Sequence, residues 1–165
     1  MNLGWLLQAM VALAPPGLVP TRETAEAGHA RYATIVADME SVLTEAHGTD
    51  GEAAMLLAIA YHESGLRADV DAGTTRGGGL DVCLLQIRAS KLEADELARD
   101  RRACLRKGLR LARGSIRACA KNPREEQLAA YASGSCTRGA KESRAFYALT
   151  RRVLGYKPAR PKGGT

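Results

Sequence analysis

Aromatic side chains are scarce in this chain: one Trp, one Phe and five Tyr among 165 residues, or 4%. β-Branched residues are also sparse while Ala and Leu abound, a balance that favours helices over sheets. No apolar run is long enough to cross a bilayer. The four cysteines, Cys83, Cys104, Cys119 and Cys136, include no C-x-x-C pair, which removes the usual support for a zinc finger or a thioredoxin-like site. There is no internal repeat. The short apolar run Leu3 to Ala14 lacks a preceding Lys or Arg, so the basic region of a secretory signal is missing. A packed terminal helix and an atypical signal both remain open for residues 1–20.

What is present suits one domain, since a chain of this length can bury a sizeable core without metals or oligomerisation. The net charge of +6 conceals an asymmetry: residues 1–63 carry two basic and eight acidic side chains, and residues 64–165 carry 22 and ten. A cationic second half implies an anionic partner, with cell-wall polymer, nucleic acid and anionic membrane as candidates. The plainer alternative is a solvated Arg-rich helix. Four cysteines allow three pairings. Neighbour pairing, Cys83 with Cys104 and Cys119 with Cys136, is the expectation, and oxidised cysteines would place the protein outside the cytoplasm.

Apolar spacing predicts a helix over Arg22 to Ala46, with Tyr32, Ile35, Val36, Met39, Val42, Leu43 and Ala46 on one face. Thr21 is a candidate N-cap with an incomplete capping box, Gly48 ends the helix, and Asp50 stands where the next N-cap belongs. From Ala53 to Tyr61 every residue is apolar or aromatic, the mark of a helix buried on all sides. Gly65 to Gly79 holds five glycines and reads as a loop. Asp81 to Ile87 is too short to assign between strand and turn. Ser90 and Glu93 form a capping box. A basic amphipathic helix spans Arg101 to Lys121, Pro123 starts another helix running to Gly134, and a last helix covers Gly139 to Leu154. The tail, residues 155–165, should be mobile.

Glu63 closes the buried helix. It shares a helical row with Met55, Leu56 and Ile59. The negative end of the helix dipole and apolar neighbours both oppose ionisation there, so its pKa should be raised, which suits a general acid. The alternative is a Glu that merely frays into solvent. His62-Glu63 lacks the second His of a zinc protease helix, because position 66 is Leu. Cys83 with His62 lacks an orienting third residue. Arg76-Gly77-Gly78-Gly79 lacks the Lys-Ser/Thr ending of a phosphate loop. His29 and His47 read as surface residues.

Glu63-Ser64-Gly65-Leu66, then Leu84-Leu85-Gln86-Ile87, then Ala130-Tyr131 with Gly134 resemble, in order and spacing, the soluble lytic transglycosylase domain family, related in fold to goose-type lysozyme. The resemblance covers roughly Gly51 to Leu154. It implies a mainly α, lysozyme-like domain over residues 21–154, with a short irregular or β segment near an active-site cleft. It further implies that Glu63 is the single acid/base, that Ser64 helps position substrate, that Leu85, Gln86 and Ile87 line the glycan cleft, and that Tyr131 bonds the catalytic carboxylate. Cys83 stands where the family has Gly, and Ala132-Ser133 replaces Asn-Ala.

The implied reaction is cleavage of the MurNAc-GlcNAc β-1,4 bond of peptidoglycan without metal or cofactor. Attack by the sugar's own 6-hydroxyl gives an anhydro end, and attack by water makes the enzyme a lysozyme. A hydrolase generally wants a second carboxylate, for which Asp69, Asp71 and Asp81 are the nearby candidates. The expected partners are peptidoglycan strands and, in a phage particle, other virion proteins. The expected location is extracytoplasmic or in a virion, with the protein a monomer in isolation. Nucleic acid is disfavoured, because the basic helix has no interleaved aromatics. The non-enzyme alternative is a cationic wall- or DNA-binding structural protein with a lapsed active site.

Overall fold

The computed structural model describes residues 2–18, 23–76 and 80–159. It is mainly helical with one two-stranded sheet: α1 (Gly4–Leu13), α2 (Ala25–Glu45), α3 (Asp50–Ser64), α4 (Ala68–Asp71), β1 (Asp81–Val82), β2 (Ile87–Arg88), α5 (Lys91–Arg99), α6 (Arg101–Ala118), α7 (Ala129–Ser133) and α8 (Ala140–Leu154). A 3-10 turn spans Arg124–Glu126.

Helix α3 is the central post. Every residue from Ala53 to Ala60 is buried, with α1, α2, α6 and α8 packed around it. Thr49, not Asp50, is its N-cap: the Thr49 hydroxyl accepts from the Glu52 amide and the Glu52 carboxylate accepts from the Thr49 amide, closing a capping box. Asp50 lies in the first turn, where its charge still suits the helix dipole. Thr24 caps α2, and Thr21 falls outside the described residues. The apolar run near the N-terminus folds as α1 and enters the core through Trp5, Leu6, Ala9, Met10 and Leu13. The buried Tyr32 hydroxyl donates to the Ala14 carbonyl at 2.8 Å, fixing the end of α1 on α2.

Three expectations need correction. The loop after Gly65 contains the short helix α4, because Val70 finds a buried place there; Gly77 to Gly79 lie outside the described residues. The segment from Pro123 to Gly134 is broken into the 3-10 turn and α7, since Leu128 turns into the core between them. The start of the tail is anchored: Tyr156 packs against the core and Lys157 pairs with Asp50, while residues 160–165 are outside the described set.

Much of the charge asymmetry is satisfied internally. On α6, Arg101 binds Asp38 and Asp71 at 2.7 and 2.8 Å, Arg102 binds Asp38 at 2.7 Å, Lys107 binds Glu93 at 2.9 Å and Arg113 binds Glu52 at 2.6 Å. The acidic α2 and basic α6 pack side by side, so the basic helix is in large part a counterion for this chain's own carboxylates.

The expected disulfides are both present, Cys83 to Cys104 and Cys119 to Cys136. Each closes a loop long enough to stabilise the fold by about 3 kcal/mol in the chain-entropy account. The first ties the β1–β2 turn to α6. At the same contact α6 has Gly108, where an added Cβ would come within 2.1 Å of the Leu85 Cδ1. Leu85 is fully buried and has little room to withdraw. Gly108→Val should therefore lower stability by about 1–3 kcal/mol, read as a lower denaturant midpoint at unchanged slope; an unchanged midpoint would contradict this packing.

Candidate active site

Gly65 ends α3 in the left-handed conformation, φ 60°, and its amide donates to the Tyr61 carbonyl at 2.8 Å. This stop leaves Glu63 in the last turn, half-buried, with 29% of its side chain exposed. Burial raises its pKa above the ordinary 4.5. His62, with Nδ1 at 3.5 Å from Glu63 Oε1, opposes the rise when protonated, whereas the negative charges of Asp81 and Glu142 add to it. Desolvation dominates, and the carboxyl retains its proton to higher pH than a free glutamic acid.

The surroundings of Glu63 are rigidly built. The His62 ring meets Phe146 edge-on at 4.9 Å, and Phe146 meets Tyr131 in the same way at 6.0 Å. Phe146 is fully buried in α8. The Tyr131 hydroxyl donates to the Leu85 carbonyl at 3.1 Å. Burial and the nearby Glu63 charge push its pKa far above 10, so it remains a donor. Edge-on ring contacts thus join α3, α8 and α7, and a hydrogen bond joins α7 to the turn between the strands.

That turn forms the facing wall. Strands β1 and β2 pair antiparallel with Asp81 opposite Arg88 and Val82 opposite Ile87. Cys83 (φ 61°) and Gln86 (φ 45°) adopt left-handed conformations, which cost an L-residue side chain about 1 kcal/mol each. The Cys104 bridge, the Tyr131 bond and the Gln86 side chain, donating to the Cys83 carbonyl at 2.9 Å, hold them there.

Between the walls lies a cleft of about 500 Å³. Glu63 and Asp81 face it together with Gln86, Ile87 and Arg88 of the hairpin, Leu111 of α6, and Ala130, Tyr131, Ala132 and Gly134 of α7. A separate cavity of about 410 Å³ at the other end of α3, around Met55, Ile116 and Leu128, contains neither Glu63 nor Asp81. Comparison of the chain with family models, curated proteins and solved structures gave no match. Any functional reading of the cleft therefore stands on its residues.

Of the residues singled out from sequence, Glu63, Gln86, Ile87 and Tyr131 line the cleft, and Leu85 lies buried behind it. Ser64 does not line it: the side chain is buried, donates to the Ala60 carbonyl at 2.6 Å and accepts from the Leu66 amide, so it closes the helix end. Tyr131 bonds the Leu85 carbonyl, not the Glu63 carboxylate.

The three second-carboxylate candidates separate. Asp69 is held by Arg67 and Thr75, its pKa lowered to about 2. Asp71 is gripped on both oxygens by Arg101 at 2.8 Å, with Arg31 at 3.8 Å. Neither lines the cleft; Asp81 alone of the three does. Sequence reasoning missed Arg88, Leu111 and Glu142. For Leu111 a signal existed, a large apolar side chain off the buried stripe of α6 and 44% exposed; Glu142 had none.

The raised pKa of Glu63 makes a stability prediction with a definite sign. The folded carboxyl binds its proton more tightly than the unfolded one, so this group costs nothing at low pH and costs stability as pH rises from 4.5 toward its folded value. Glu63→Gln should match wild type in thermal unfolding near pH 4 and exceed it at pH 7. Equal stabilities at both pH values would contradict the burial argument.

Proposed function

We propose that the protein cleaves the MurNAc-GlcNAc β-1,4 bond of peptidoglycan, with Glu63 as acid/base, in the manner of a lytic transglycosylase. The observation that carries this reading is a half-buried carboxyl of raised pKa at the mouth of a cleft walled by the Gln86 hairpin and by Tyr131. Glu63 donates its proton to the glycosidic oxygen as the C1–O bond breaks, through an oxocarbenium-like transition state. The resulting carboxylate then takes the proton of the attacking hydroxyl. Attack by the muramyl 6-hydroxyl closes a 1,6-anhydro ring.

A hydrolytic variant is favoured by one observation, the presence of Asp81 on the same cleft. In that variant water attacks and the product carries a reducing end. The reading of a lapsed, purely cationic structural protein is weakened by the internal pairing of α6, which leaves Arg101, Arg102, Lys107 and Arg113 engaged within the chain. The two disulfides support an oxidising location, outside the cytoplasm or in a virion. No helix among the described residues is long and apolar enough to cross a membrane.

Digestion of purified sacculi with mass spectrometry of the released muropeptides tests the proposal. Wild type should release anhydro-ended products, and Glu63→Gln should lose roughly a hundredfold or more in rate. Asp81→Asn should retain anhydro formation. Release of reducing ends abolished by Asp81→Asn would favour the hydrolase, and equal release by wild type and Glu63→Gln would sink both enzymatic readings.

A further inference from the structure

Arg88 is the one cation among the described residues lining the cleft, beside the two acidic side chains Glu63 and Asp81. It is exposed and stands directly opposite Asp81 in the hairpin register. Opposite charges across an antiparallel pair usually attract, yet Arg88 forms no ion pair with Asp81 or with any other described residue. On α6, Arg101, Arg102, Lys107 and Arg113 each have an acidic partner within 3 Å, whereas Arg110 and Arg117, like Arg88, have none among the described residues; what sets Arg88 apart is its place on the cleft. An unpaired arginine thus lines the cleft.

Asp81, joined by Glu63 once that carboxyl has given up its proton, repels an anionic ligand on this cleft unless a cation offsets the charge. A neutral GlcNAc polymer needs no such cation. A glycan bearing a carboxylate arm does, and the planar guanidinium matches a carboxylate with two parallel hydrogen bonds. Resting on the reading of this cleft as a glycan site, we propose that Arg88 is a specificity-determining residue that binds a carboxylate carried on an arm of the sugar chain. Two sources share that chemistry: the lactyl carboxylate of a peptide-free muramyl residue, and a carboxylate of an attached peptide.

Equilibrium binding by calorimetry in the Glu63→Gln background, where the glycan is not consumed, tests the assignment with three soluble oligosaccharides: GlcNAc alone, peptide-free GlcNAc-MurNAc, and peptide-bearing GlcNAc-MurNAc. Adding Arg88→Ala should weaken binding of a carboxylate-bearing glycan roughly five- to tenfold and shift the neutral oligomer by less than about twofold. Arg88→Lys should recover part of the loss, and the effect should shrink with added salt. Loss on the peptide-free glycan identifies the lactyl carboxylate; loss on the peptide-bearing glycan alone identifies the peptide. Equal loss on all three, or no binding of any, overturns the assignment. Arg88-dependent binding combined with no cleavage by wild type would leave this inference standing and remove the catalytic reading instead.

Discussion

Burial of the carboxyl end of α3 is the constraint on which the site depends. A helix packed on every side brings its last turn out through apolar surroundings, and Glu63 is carried with it into partial desolvation. An ionised carboxylate is penalised there, so the proton is held to higher pH. Moving the same residue one turn further into solvent would give an ordinary surface glutamate. The left-handed stop at Gly65 sets that limit, and Phe146, touching both His62 and Tyr131, holds the ring cluster beside it.

The second half of the molecule supplies the facing wall. The hairpin is too short to hold its own shape, with two residues per strand and two left-handed residues in its turn. It is fixed from outside by the Cys104 bridge, by the Tyr131 hydroxyl and by the notch at Gly108. Glycine adopts the φ of 61° at Cys83 freely, whereas here a cysteine is held in it with a disulfide to α6. Helix α6 in turn is anchored through Arg101 to Asp38 and Asp71 and through Arg113 to Glu52.

The buried α3, the amphipathic α2, α6 and α8, and the Ser90–Glu93 capping box were legible because they follow from local spacing and capping chemistry. The neighbour pairing of cysteines was an expectation that geometry bears out. Three features were not legible, because each depends on contacts across the chain. Asp81 separates from Asp69 and Asp71 only when Arg101, thirty residues from Asp71, reaches back to clamp it. The cationic second half looked like a face for an outside partner, yet α2 lies against α6 and neutralises much of it. Ser64 looked like a ligand contact but turns inward to the Ala60 carbonyl, a helix-end role that sequence alone does not distinguish.

The end of α3 leaves the Glu63 carboxyl holding its proton to higher pH than an ordinary glutamic acid. A ¹³C NMR titration of the side-chain carboxyls, with Glu63 assigned by the signal missing in Glu63→Gln, measures it most directly. The Glu63 midpoint should lie above the ordinary 4.5 and move down when Asp81 is replaced by Asn. A midpoint at or below 4.5, insensitive to Asp81, would contradict it.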